Sequence, residues 1–266
     1  MKTIIITGAG SGMGKATAQY LAKQGHKVFA LDIATQPEEE NIIPISVDVT
    51  SMQSVEKAYE KVCAQTQGVD AIVHFAGIYH MDSLIEIEEE ELLKIFNINV
   101  FGVYRVNKMF LPLLLKNKGR IVITSSELAP LDPLPFTGLY GITKSTVEKY
   151  AYSLRMEVNL LGIKVSVLRP GAVKTNMISA STKALDAMCA KTKLYAYNTG
   201  KFKKIVNSVE SKTVTPEQIA KLVCKIITCK RPKFVYAMNA NGYLKLLNAL
   251  PDAWQVGIIK RILSKK

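Results

Sequence analysis

The sequence lacks any arrangement of cysteine and histidine that would hold a metal ion or a disulfide framework. Its cysteines are scattered singly and form no CxxC pair, and the 266 residues include only three histidines; the cysteines are Cys63, Cys189, Cys224 and Cys229. Structural zinc sites need clustered ligands at short spacings, so we predict no metal site. Unpaired cysteines are typical of free thiols in a reducing compartment, which predicts a cytoplasmic protein.

Long hydrophobic runs are also missing. No stretch approaches the ~18 uninterrupted apolar residues of a membrane-spanning helix, and the run at residues 4–6 is too short for a signal peptide. Acidic residues number 22 against 35 basic ones, which gives a formal net charge of +13. The lysines are spread along the chain without interleaved arginines and aromatics, so nucleic acid is not a predicted partner.

Short β-branched apolar runs alternate with amphipathic stretches up to about residue 170. The expected strands are residues 3–6, 27–31, 43–47, 71–74, 120–124 and 164–168, with a seventh at 233–237. Between them, residues 14–25, 51–67, 88–117 and 140–162 carry apolar side chains at helical spacing, with an interruption at 97–102. This alternation predicts one α/β domain built on a parallel sheet.

Two segments depart from this alternation. Residues 176–214 lack a clear period and mix lysine, tyrosine, serine and methionine, which favours a mobile substrate flap over a site. Residues 243–266 form an amphipathic, basic tail in which Trp254 stands among leucines, isoleucines and lysines. The tail is expected to pack its apolar face on its own domain or a sister subunit, or to lie on a membrane surface. The predicted domain therefore covers residues 1–242, followed by the tail.

A glycine-rich turn follows the first expected strand and leads into a helix; its residues are Gly8, Ser11, Gly12, Met13 and Gly14. Glycines let the backbone approach a pyrophosphate at the positive end of a helix, although a tight turn without a ligand has the same composition. The second strand ends on Asp32, where a carboxylate can bind adenosine ribose hydroxyls. No Arg or Lys stands at Ser11 or Ile33 to receive a 2′-phosphate, which predicts NAD(H) in preference to NADP(H).

Tyr140 and Lys144 are separated by one helical turn, so a phenol and an ammonium lie on one face of the expected helix. A free phenol has a pKa near ~10, and a neighbouring cation stabilises its ionised form, as proton transfer to and from an alcohol requires. Chance supplies such a pair in most chains of this length. A catalytic role for the pair is supported by Ser125 and Ser126 at the end of the fifth strand and by Asn99 within the helix interruption.

Taken in order along the chain, these motifs resemble the short-chain dehydrogenase/reductase family over roughly residues 1–240. That family orders a TGxxxGxG turn, an NNAG segment, an NxxG asparagine, a strand-end serine, a YxxxK pair and a PG segment. The resemblance implies a single-domain Rossmann-type, doubly wound parallel sheet of about seven strands flanked by helices. It also implies an NAD(H)-dependent oxidoreductase that interconverts a secondary alcohol and a ketone. A homodimer or homotetramer, packed through the helices at 88–117 and 140–162, is the assembly it implies.

The resemblance implies a role for each matching residue. Tyr140 would be the general acid/base, and Ser126 would hold the substrate oxygen. Lys144 would bind the nicotinamide ribose and lower the pKa of Tyr140, while Asn99 would support a proton-relaying water. The other expected cofactor-binding residues, beyond the glycine turn, Asp32 and Ile33, are Asp48, Val49, Phe75, Ala76, Gly77, Pro170, Gly171, Val173 and Thr175. Asp48 fits either an acceptor for the adenine amino group or a cap for the next helix.

Two positions depart from the family's pattern. The segment at 74–77 reads His-Phe-Ala-Gly in place of NNAG, and a histidine at a buried strand end is expected to be a structural hydrogen bonder. Ser126 and Tyr140 are separated by one residue more than the family's spacing, which a proline-containing loop at 130–135 would absorb; Ser125 is the alternative to Ser126.

The expected substrate is apolar, like a steroid, a retinoid or a lipid, because apolar side chains would line its pocket. They are Leu128, Leu131, Leu134, Phe136, Tyr195 and Tyr197. Two alternatives stay open: an acyl-chain or small-molecule ketoreductase of the same fold, and a non-catalytic NAD-binding or redox-sensing protein. The acidic run at 86–91 is expected to face water at a helix start and is assigned no function.

Overall fold

The computed structural model describes residues 1–34, 37–208 and 213–265, and for residues 176–180 only the backbone. A parallel sheet forms its centre, with strands β1 (Thr3–Thr7), β2 (Lys27–Asp32), β3 (Ile42–Ser46), β4 (Ala71–His74), β5 (Arg120–Thr124), β6 (Lys164–Pro170) and β7 (Val235–Met238). Their order is β3-β2-β1-β4-β5-β6-β7, and each neighbouring pair is parallel. The predicted seven-stranded, doubly wound architecture is confirmed.

Helices cover both faces of this sheet. They are α1 (Gly12–Lys23), α2 (Met52–Cys63), α3 (Glu89–Phe96), α4 (Gly102–Asn117), α5 (Gly138–Val158), α6 (Asn176–Lys191), α7 (Ala196–Ser208), α8 (Pro216–Thr228), α9 (Gly242–Asn248) and α10 (Asp252–Leu263). Helices α1 and α8 contribute to the apolar core on one face, and α2, α4 and α5 to the core on the other. The sheet therefore separates two apolar cores.

The β-branched strand residues explain why the sheet is buried on both faces. In β1, Ile4 and Ile6 enter one core and Ile5 enters the other, and all three side chains are fully buried. Burying an aliphatic side chain of this size stabilises the fold by roughly 1.5–3 kcal/mol. A strand with apolar side chains at every position can lie only inside such a sandwich of helices.

The strand order reverses between β1 and β4, which lie side by side at the centre of the sheet. From β1 the chain builds outward to β3 on one side and from β4 to β7 on the other. The loops after β1 and β4 therefore diverge at their carboxyl ends and leave a crevice, where ligands bind in open α/β sheets.

A π-helical turn at Asn97–Phe101 separates α3 from α4, which confirms the predicted interruption of this helix. Asn99 lies within the turn. Its Oδ1 accepts a hydrogen bond from the Ile78 backbone N–H at 2.8 Å, and its Nδ2 donates to the Ile78 carbonyl at 2.9 Å. One side chain thus pins the wide turn to the loop that follows β4, a position where π-turns often serve a site.

Residues 176–214, for which the sequence predicts no regular element, form helices α6 and α7 in their described part. Leu185, Met188 and Phe202 from these helices are buried in a small apolar cluster together with Met81 and Leu263. Because few of the described side chains of each helix are buried, its sequence shows little of the period that a core helix would show. Residues 209–212 and the side chains of 176–180 lie outside the described residues, and the mobility of this segment stays a prediction.

The turn between α6 and α7 is held by Glu86, from the acidic run that we expected to face water. Its Oε1 accepts from the backbone N–H groups of Lys193 and Leu194 at 2.8 and 3.0 Å, and its Oε2 accepts from the Thr192 hydroxyl at 2.6 Å. That expectation is wrong for Glu86, because a partner distant in sequence uses the carboxylate. Glu89 and its two acidic neighbours do occupy the first turn of α3.

The tail forms α9 and α10, which ends at Leu263. The structure describes the chain as far as Lys265, so Lys266 lies outside the described residues. Gln255 and Leu263 of α10 are buried, and the Leu263 carbonyl accepts a hydrogen bond from Asn198 of α7 at 3.0 Å. One face of the tail therefore packs on its own chain, as one of the predicted placements required. Its division from a domain at 1–242 stays a prediction. No helix within the described ranges is long and apolar enough to cross a membrane.

Candidate active site

A cleft of about 570 Å³ lies at the carboxyl ends of β1, β2 and β4. It is lined by residues from the glycine turn and from the loops that follow β2, β3 and β4; they include Gly8, Ser11, Gly12, Met13, Gly14, Asp32, Ile33, Asp48, Val49, Phe75, Ala76, Gly77 and Thr175. The structure therefore brings together at one cleft most of the residues that the sequence predicts to bind a cofactor.

The glycine turn packs so closely against neighbouring backbone that a side chain would not fit at Gly8 or Gly14. A Cβ on Gly8 would lie 2.5 Å from the backbone nitrogen of Ala76, and a Cβ on Gly14 would lie 2.0 Å from the Gly8 carbonyl oxygen. Gly8 and Gly12 also have positive φ angles of 69° and 51°. The bare backbone and the amino-terminal end of α1 form the cradle that a pyrophosphate requires, so these residues fit a dinucleotide.

Asp32 connects the end of β2 to the glycine turn. Its Oδ2 accepts from the Gly10 backbone N–H at 2.8 Å, and its Oδ1 accepts from the Ala34 N–H at 3.0 Å. A Cβ on Gly10 would lie 2.8–3.0 Å from the Asp32 carboxyl atoms. The carboxylate is therefore held by two backbone groups at the edge of the cleft, with Ile33 beside it 72% exposed.

Asp48 lies in the same cleft, beyond the end of β3, which stops at Ser46. Its Oδ1 accepts from both the backbone N–H and the hydroxyl of Thr50, at 2.8 and 2.7 Å. The cap of the following helix α2 is Ser51, whose side chain accepts from Ser54. Asp48 thus shapes the loop before α2 and does not itself cap that helix.

A second cavity of about 230 Å³ adjoins the cleft and shares Met13, Phe75, Gly77, Tyr79 and Thr175 with it. The other residues that line it include Thr124, Ser125, Ser126, Glu127, Leu128, Tyr140, Lys144, Pro170, Gly171, Ala172 and Val173. This cavity, which we call the catalytic pocket, contains the predicted Ser126, Tyr140 and Lys144. It also contains the Pro-Gly segment at the end of β6.

Lys144 is buried beneath the catalytic pocket. Its Nζ donates to the Thr124 carbonyl at 3.1 Å and lies 5.6 Å from the centre of the Tyr140 ring. A Cβ on Gly77 would lie 3.7 Å from the same Nζ, so Gly77 borders this ammonium on the side of the cleft. Burial lowers the pKa of Lys144 to about 8, because a low-dielectric surrounding disfavours the charged form.

Tyr140 is buried at the other side of the pocket, where Ser126 is near enough to its hydroxyl to act on its pKa. Its ring lies 4.8 Å from the ring of Tyr79, at an interplanar angle of 49°. Burial and the neighbouring Tyr79 raise the pKa of Tyr140 above that of a free phenol, and the Ser126 hydrogen bond offsets part of this rise. Without further positive charge the phenol is neutral, which is the form that donates a proton.

The contacts distinguish the two candidate serines. The Ser125 hydroxyl lies 3.2 Å from the Lys144 carbonyl oxygen and 3.0 Å from Glu148 Oε2 and shares its one proton between them, so it is used within the structure. Ser126 Oγ accepts from the Leu128 backbone N–H at 3.2 Å and is the serine that acts on the Tyr140 hydroxyl. The geometry favours Ser126 as the residue paired with Tyr140.

Asn99 reaches the catalytic helix as well as the loop after β4. Its Nδ2 donates to the Thr143 hydroxyl at 3.2 Å, and Thr143 precedes Lys144 on α5. A Cβ on Gly77 would lie 3.2 Å from Asn99 Oδ1. The π-turn, the loop of Gly77 and the helix that carries Lys144 are therefore connected by one amide.

His74 has the structural environment that we expected. It is 3% exposed, and its Nε2 lies 2.8 Å from Asn107 Oδ1, while Asn107 Nδ2 donates to the Tyr150 hydroxyl at 3.3 Å. Burial lowers the pKa of His74 to about 4. The imidazole links β4 to α4 and α5 below the site, in place of the amide that the family's pattern has there.

Sequence reasoning missed Tyr79 and Glu127, which both line the catalytic pocket. Tyr79 stands two residues after Gly77, and Glu127 directly follows Ser126. This closeness to predicted motif residues is the signal by which the sequence could have indicated them. Of the expected apolar lining, Leu128 lines the pocket, whereas Leu134 and Phe136 pack beside Tyr79 in the small apolar cluster. The described side chains include no group of three or more His, Cys, Asp and Glu placed to hold a metal ion.

The crossover sheet with a glycine turn at its switch point, joined to a buried serine, tyrosine and lysine, defines a dinucleotide-binding oxidoreductase. A family model described as short chain dehydrogenase matches residues 2–186. The chain belongs to this family and is an oxidoreductase that uses a nicotinamide cofactor and small-molecule substrates.

Two curated relatives carry names of different substrates. A 3-ketodihydrosphingosine reductase of Bacteroides thetaiotaomicron is 31% identical over 251 residues, which cover 94% of this chain and 92% of the relative. An estradiol 17-beta-dehydrogenase 2 of Mus musculus is 35% identical over 199 residues, which cover 70% of this chain and 52% of the relative. The chain therefore spans nearly all of the first relative and about half of the second.

Two solved structures share the fold. A 3-ketoacyl-(acyl-carrier-protein) reductase of Brucella melitensis, complexed with NADH, has a TM-score of 0.74 at 22% identity, with 90% of this chain and 97% of that chain covered. An alcohol dehydrogenase of Thermococcus sibiricus, complexed with 5-hydroxy-NADP, has a TM-score of 0.71 at 23% identity and the same coverage. Different cofactors thus occur on this fold.

Proposed function

We propose that the protein is an NAD(H)-dependent oxidoreductase that interconverts a secondary alcohol and a ketone. The observation that carries the proposal is the joining of two cavities: the glycine-turn cleft opens directly into the pocket that holds Ser126, Tyr140 and Lys144. A cofactor held along the cleft brings its reactive ring to the pocket, where Val173 and Thr175 would meet its carboxamide. Positioning of this kind supplies much of the rate of a two-substrate reaction.

The protein's own residues would move the proton. In reduction, the ketone gains a hydride at carbon, which the bound nicotinamide supplies, and a proton at oxygen from the Tyr140 hydroxyl. Ser126 would hold the substrate oxygen beside Tyr140. Lys144 would bind the nicotinamide ribose and lower the pKa of Tyr140, and Asn99 would support a water that relays protons from solvent to Lys144. Oxidation runs the same steps backwards, with Tyr140 taking the alcohol proton.

The preference for NAD(H) over NADP(H) rests on Asp32. Its carboxylate is fixed by the N–H groups of Gly10 and Ala34 at the edge of the cleft. An anion in this place accepts hydrogen bonds from ribose hydroxyls and repels a 2′-phosphate. Neither Ser11 nor Ile33 offers a cation to a phosphate.

A large apolar ketone, such as a lipid or a steroid, is the proposed substrate class. Leu128 and Tyr79 line the pocket, and Phe136 and Phe202 continue the apolar surface behind Tyr79 in the small cluster. The names of the Bacteroides and mouse relatives, which refer to a sphingoid ketone and to estradiol, support this class. An acyl-chain or small-molecule ketoreductase is the second candidate.

The test is a change in NADH absorbance with purified protein, both cofactors and a panel of ketones and alcohols. The panel contains 3-ketodihydrosphingosine, hydroxysteroids, retinoids, an acyl-thioester ketone and short aliphatic alcohols. We expect turnover with NADH and the large apolar compounds. Turnover of only the acyl thioester would favour the second candidate, and NADH binding without turnover of any compound would favour a non-catalytic, redox-sensing protein.

A homodimer or homotetramer is the proposed assembly. Apolar side chains are exposed along α4 and α5, among them Tyr104 at 43%, Tyr152 at 51% and Met156 at 60%. Exposed apolar side chains on these helices suit an interface between subunits. Light scattering on wild-type protein and on Met156→Glu is the test, and we expect the substitution to lower the assembled mass.

The tail is proposed to contact an anionic membrane surface through the outer face of α10. Trp254, Ile258 and Ile262 stand one turn apart, 65%, 38% and 47% exposed, while Leu263 on the inner face is buried. Arg261 and the following lysines flank this apolar stripe. A helix that presents exposed apolar residues between basic ones suits the interface of an acidic bilayer, and its positive charge disfavours a second copy of the same surface.

Vesicle co-sedimentation tests this contact. We expect full-length protein to bind vesicles that contain phosphatidylserine and to lose this binding in the Trp254→Ser, Ile258→Ser variant. Val256→Ser is the matched control, because Val256 is also 65% exposed but lies on another side of α10. Equal binding by both variants would contradict a contact through this face of α10, and failure of the full-length protein to bind vesicles would contradict any membrane contact. In each case the compartment that we propose for the protein is the cytoplasm.

A further inference from the structure

Glu127 carries the only acidic side chain among the described residues that line the catalytic pocket. It directly follows Ser126, and its backbone N–H donates to the Pro170 carbonyl at 3.0 Å. This hydrogen bond holds the residue between the end of β5 and the Pro-Gly segment at the end of β6. Its position is therefore fixed by the same two strand ends that shape the reaction site.

Within the described part of the chain, only one oxygen of this carboxylate has a hydrogen-bond partner. Oε2 accepts from the Asn241 backbone N–H at 2.5 Å, at the start of α9. Oε1 has no hydrogen bond within the described part of the chain; on the side of Gly171, where a missing Cβ would lie 3.1 Å from it, the space is taken by the Asn239 carbonyl oxygen. Because Glu127 itself lines the pocket, a ligand held there can reach its carboxylate.

The negative charge of Glu127 is not balanced by a close cation. No basic side chain of the described residues lies within 4.0 Å of its oxygens, although the charge of Lys245 acts on it from farther away. Burial raises the pKa of Glu127, and the Asn241 hydrogen bond offsets part of that rise. A partly buried carboxylate without an ion pair is stabilised when a ligand brings a positive group to it.

We propose that Glu127 selects ketones that carry an amine on the carbon next to the carbonyl, by pairing with the ammonium group. Ser126 and Glu127 line the same pocket, so a substrate whose carbonyl oxygen is held at Ser126 can present the substituent of the adjacent carbon to Glu127. The chemistry at the carbonyl is unchanged: the ketone gains one hydride and one proton, and the ammonium group keeps its proton. This inference rests on the ketone reduction proposed above and narrows its substrate class.

A pair of ketones separates this role from a structural one. 3-Ketodihydrosphingosine carries the amine, and the matched long-chain ketone without it does not. We expect wild-type protein to prefer the amino ketone, and Glu127→Gln to lose about 10²-fold in kcat/KM on it, the cost of removing one partner of a charge pair. On the amine-free ketone the variant should stay within about threefold, because glutamine still accepts from Asn241.

Each other outcome overturns the proposal in a recognisable way. Equal losses on both ketones, with a lower melting temperature, would show that Glu127 acts only by anchoring the start of α9. Wild-type turnover of the amine-free ketone without preference for the amine would remove the selectivity and leave the ketone reduction intact. Turnover of neither ketone, with turnover of another class in the panel, would remove the lipid substrate as well.

Discussion

His74 Nε2 lies 2.8 Å from Asn107 Oδ1, in a buried contact that ties the end of β4 to α4. The histidine of this contact is neutral, since burial lowers its pKa to about 4 from 6.5. In the unfolded chain the imidazole regains its ordinary pKa and binds a proton at higher pH. Between these two pKa values the unfolded state therefore holds more protons than the folded state, and stability falls as the pH falls.

The first prediction follows from this linkage. The free energy of unfolding should decrease by about 3 kcal/mol between about pH 6.5 and pH 4 through His74 alone, at about 1.4 kcal/mol per pKa unit. His74→Asn, which restores the amide of the family's pattern, should remove most of this acid-side loss and keep turnover at neutral pH. Urea unfolding at several pH values measures the free energy of unfolding of both proteins. An equal loss of stability toward acid pH in wild type and in His74→Asn would contradict the prediction.

The second prediction concerns Tyr140. Tyr140→Phe removes the proposed proton donor but keeps the ring contact with Tyr79, so kcat should fall by about 10²–10⁴-fold while NADH still binds. Tyr79→Phe is the matched control, because it removes the other phenol of the same pocket, which is partly buried, and its kcat should stay within a few fold of wild type. Steady-state kinetics measures kcat, and NADH fluorescence measures cofactor binding. Near-normal turnover by Tyr140→Phe would assign the proton transfer elsewhere.

The third prediction concerns the balance of function and stability at Lys144. Its pKa is lowered to about 8 in the folded protein, so folding must bury a charge at neutral pH. Lys144→Met should abolish turnover and raise the melting temperature of the cofactor-free protein, and the difference should shrink as the pH rises above about 8. Lys149→Met, at an exposed position on α5, is the control and should change neither turnover nor the melting temperature. A lower melting temperature for Lys144→Met at neutral pH would contradict this.

The fourth prediction is a change of cofactor. Asp32→Ser removes the carboxylate that Gly10 and Ala34 hold, so the ratio of kcat/KM for NADH to that for NADPH should fall by at least about 10-fold. Asp48→Ser alters the same cleft away from the β2 end and should affect both cofactors alike. An unchanged ratio in Asp32→Ser would show that the preference arises from another residue.

The fifth prediction tests the glycine turn. In Gly14→Ala the new Cβ would meet the Gly8 carbonyl oxygen, so the turn must shift and NADH binding should be lost. Gly200→Ala in α7 places its Cβ in open space and should stabilise the protein by roughly 0.5–1 kcal/mol with normal binding. Calorimetric titration with NADH distinguishes the two. Unaltered affinity in Gly14→Ala would mean that the cofactor does not depend on this turn.

The sequence predicted the sheet well because its strands are buried on both faces, and such strands read as plain β-branched runs. Residues 4–6 show this, since a run without polar residues has one stable place in an α/β fold. The glycine turn and the spacing of Tyr140 and Lys144 were equally readable, because close backbone approach and helical periodicity restrict which residues fit.

What the sequence did not predict depends on partners far along the chain. Glu86 stands in an acidic run that looks solvated, yet it holds the turn at residues 192–194. Tyr79 becomes part of the pocket only because α5 brings Tyr140 against it. Helices α6 and α7 bury too few side chains to produce a clear period. Tertiary contacts, not local preferences, decide these features.

The π-turn at residues 97–101 limits where this chain can change its length during evolution. Each residue of a helix turns the chain by about 100°, so deletion of one residue there would rotate α4 and move its buried side chains toward solvent. The deletion would also break the two hydrogen bonds between the Asn99 side chain and the Ile78 backbone. The loop at 130–135, by contrast, accommodates a residue more than the family's spacing. Insertions and deletions among relatives are therefore expected in that loop and not in the turn.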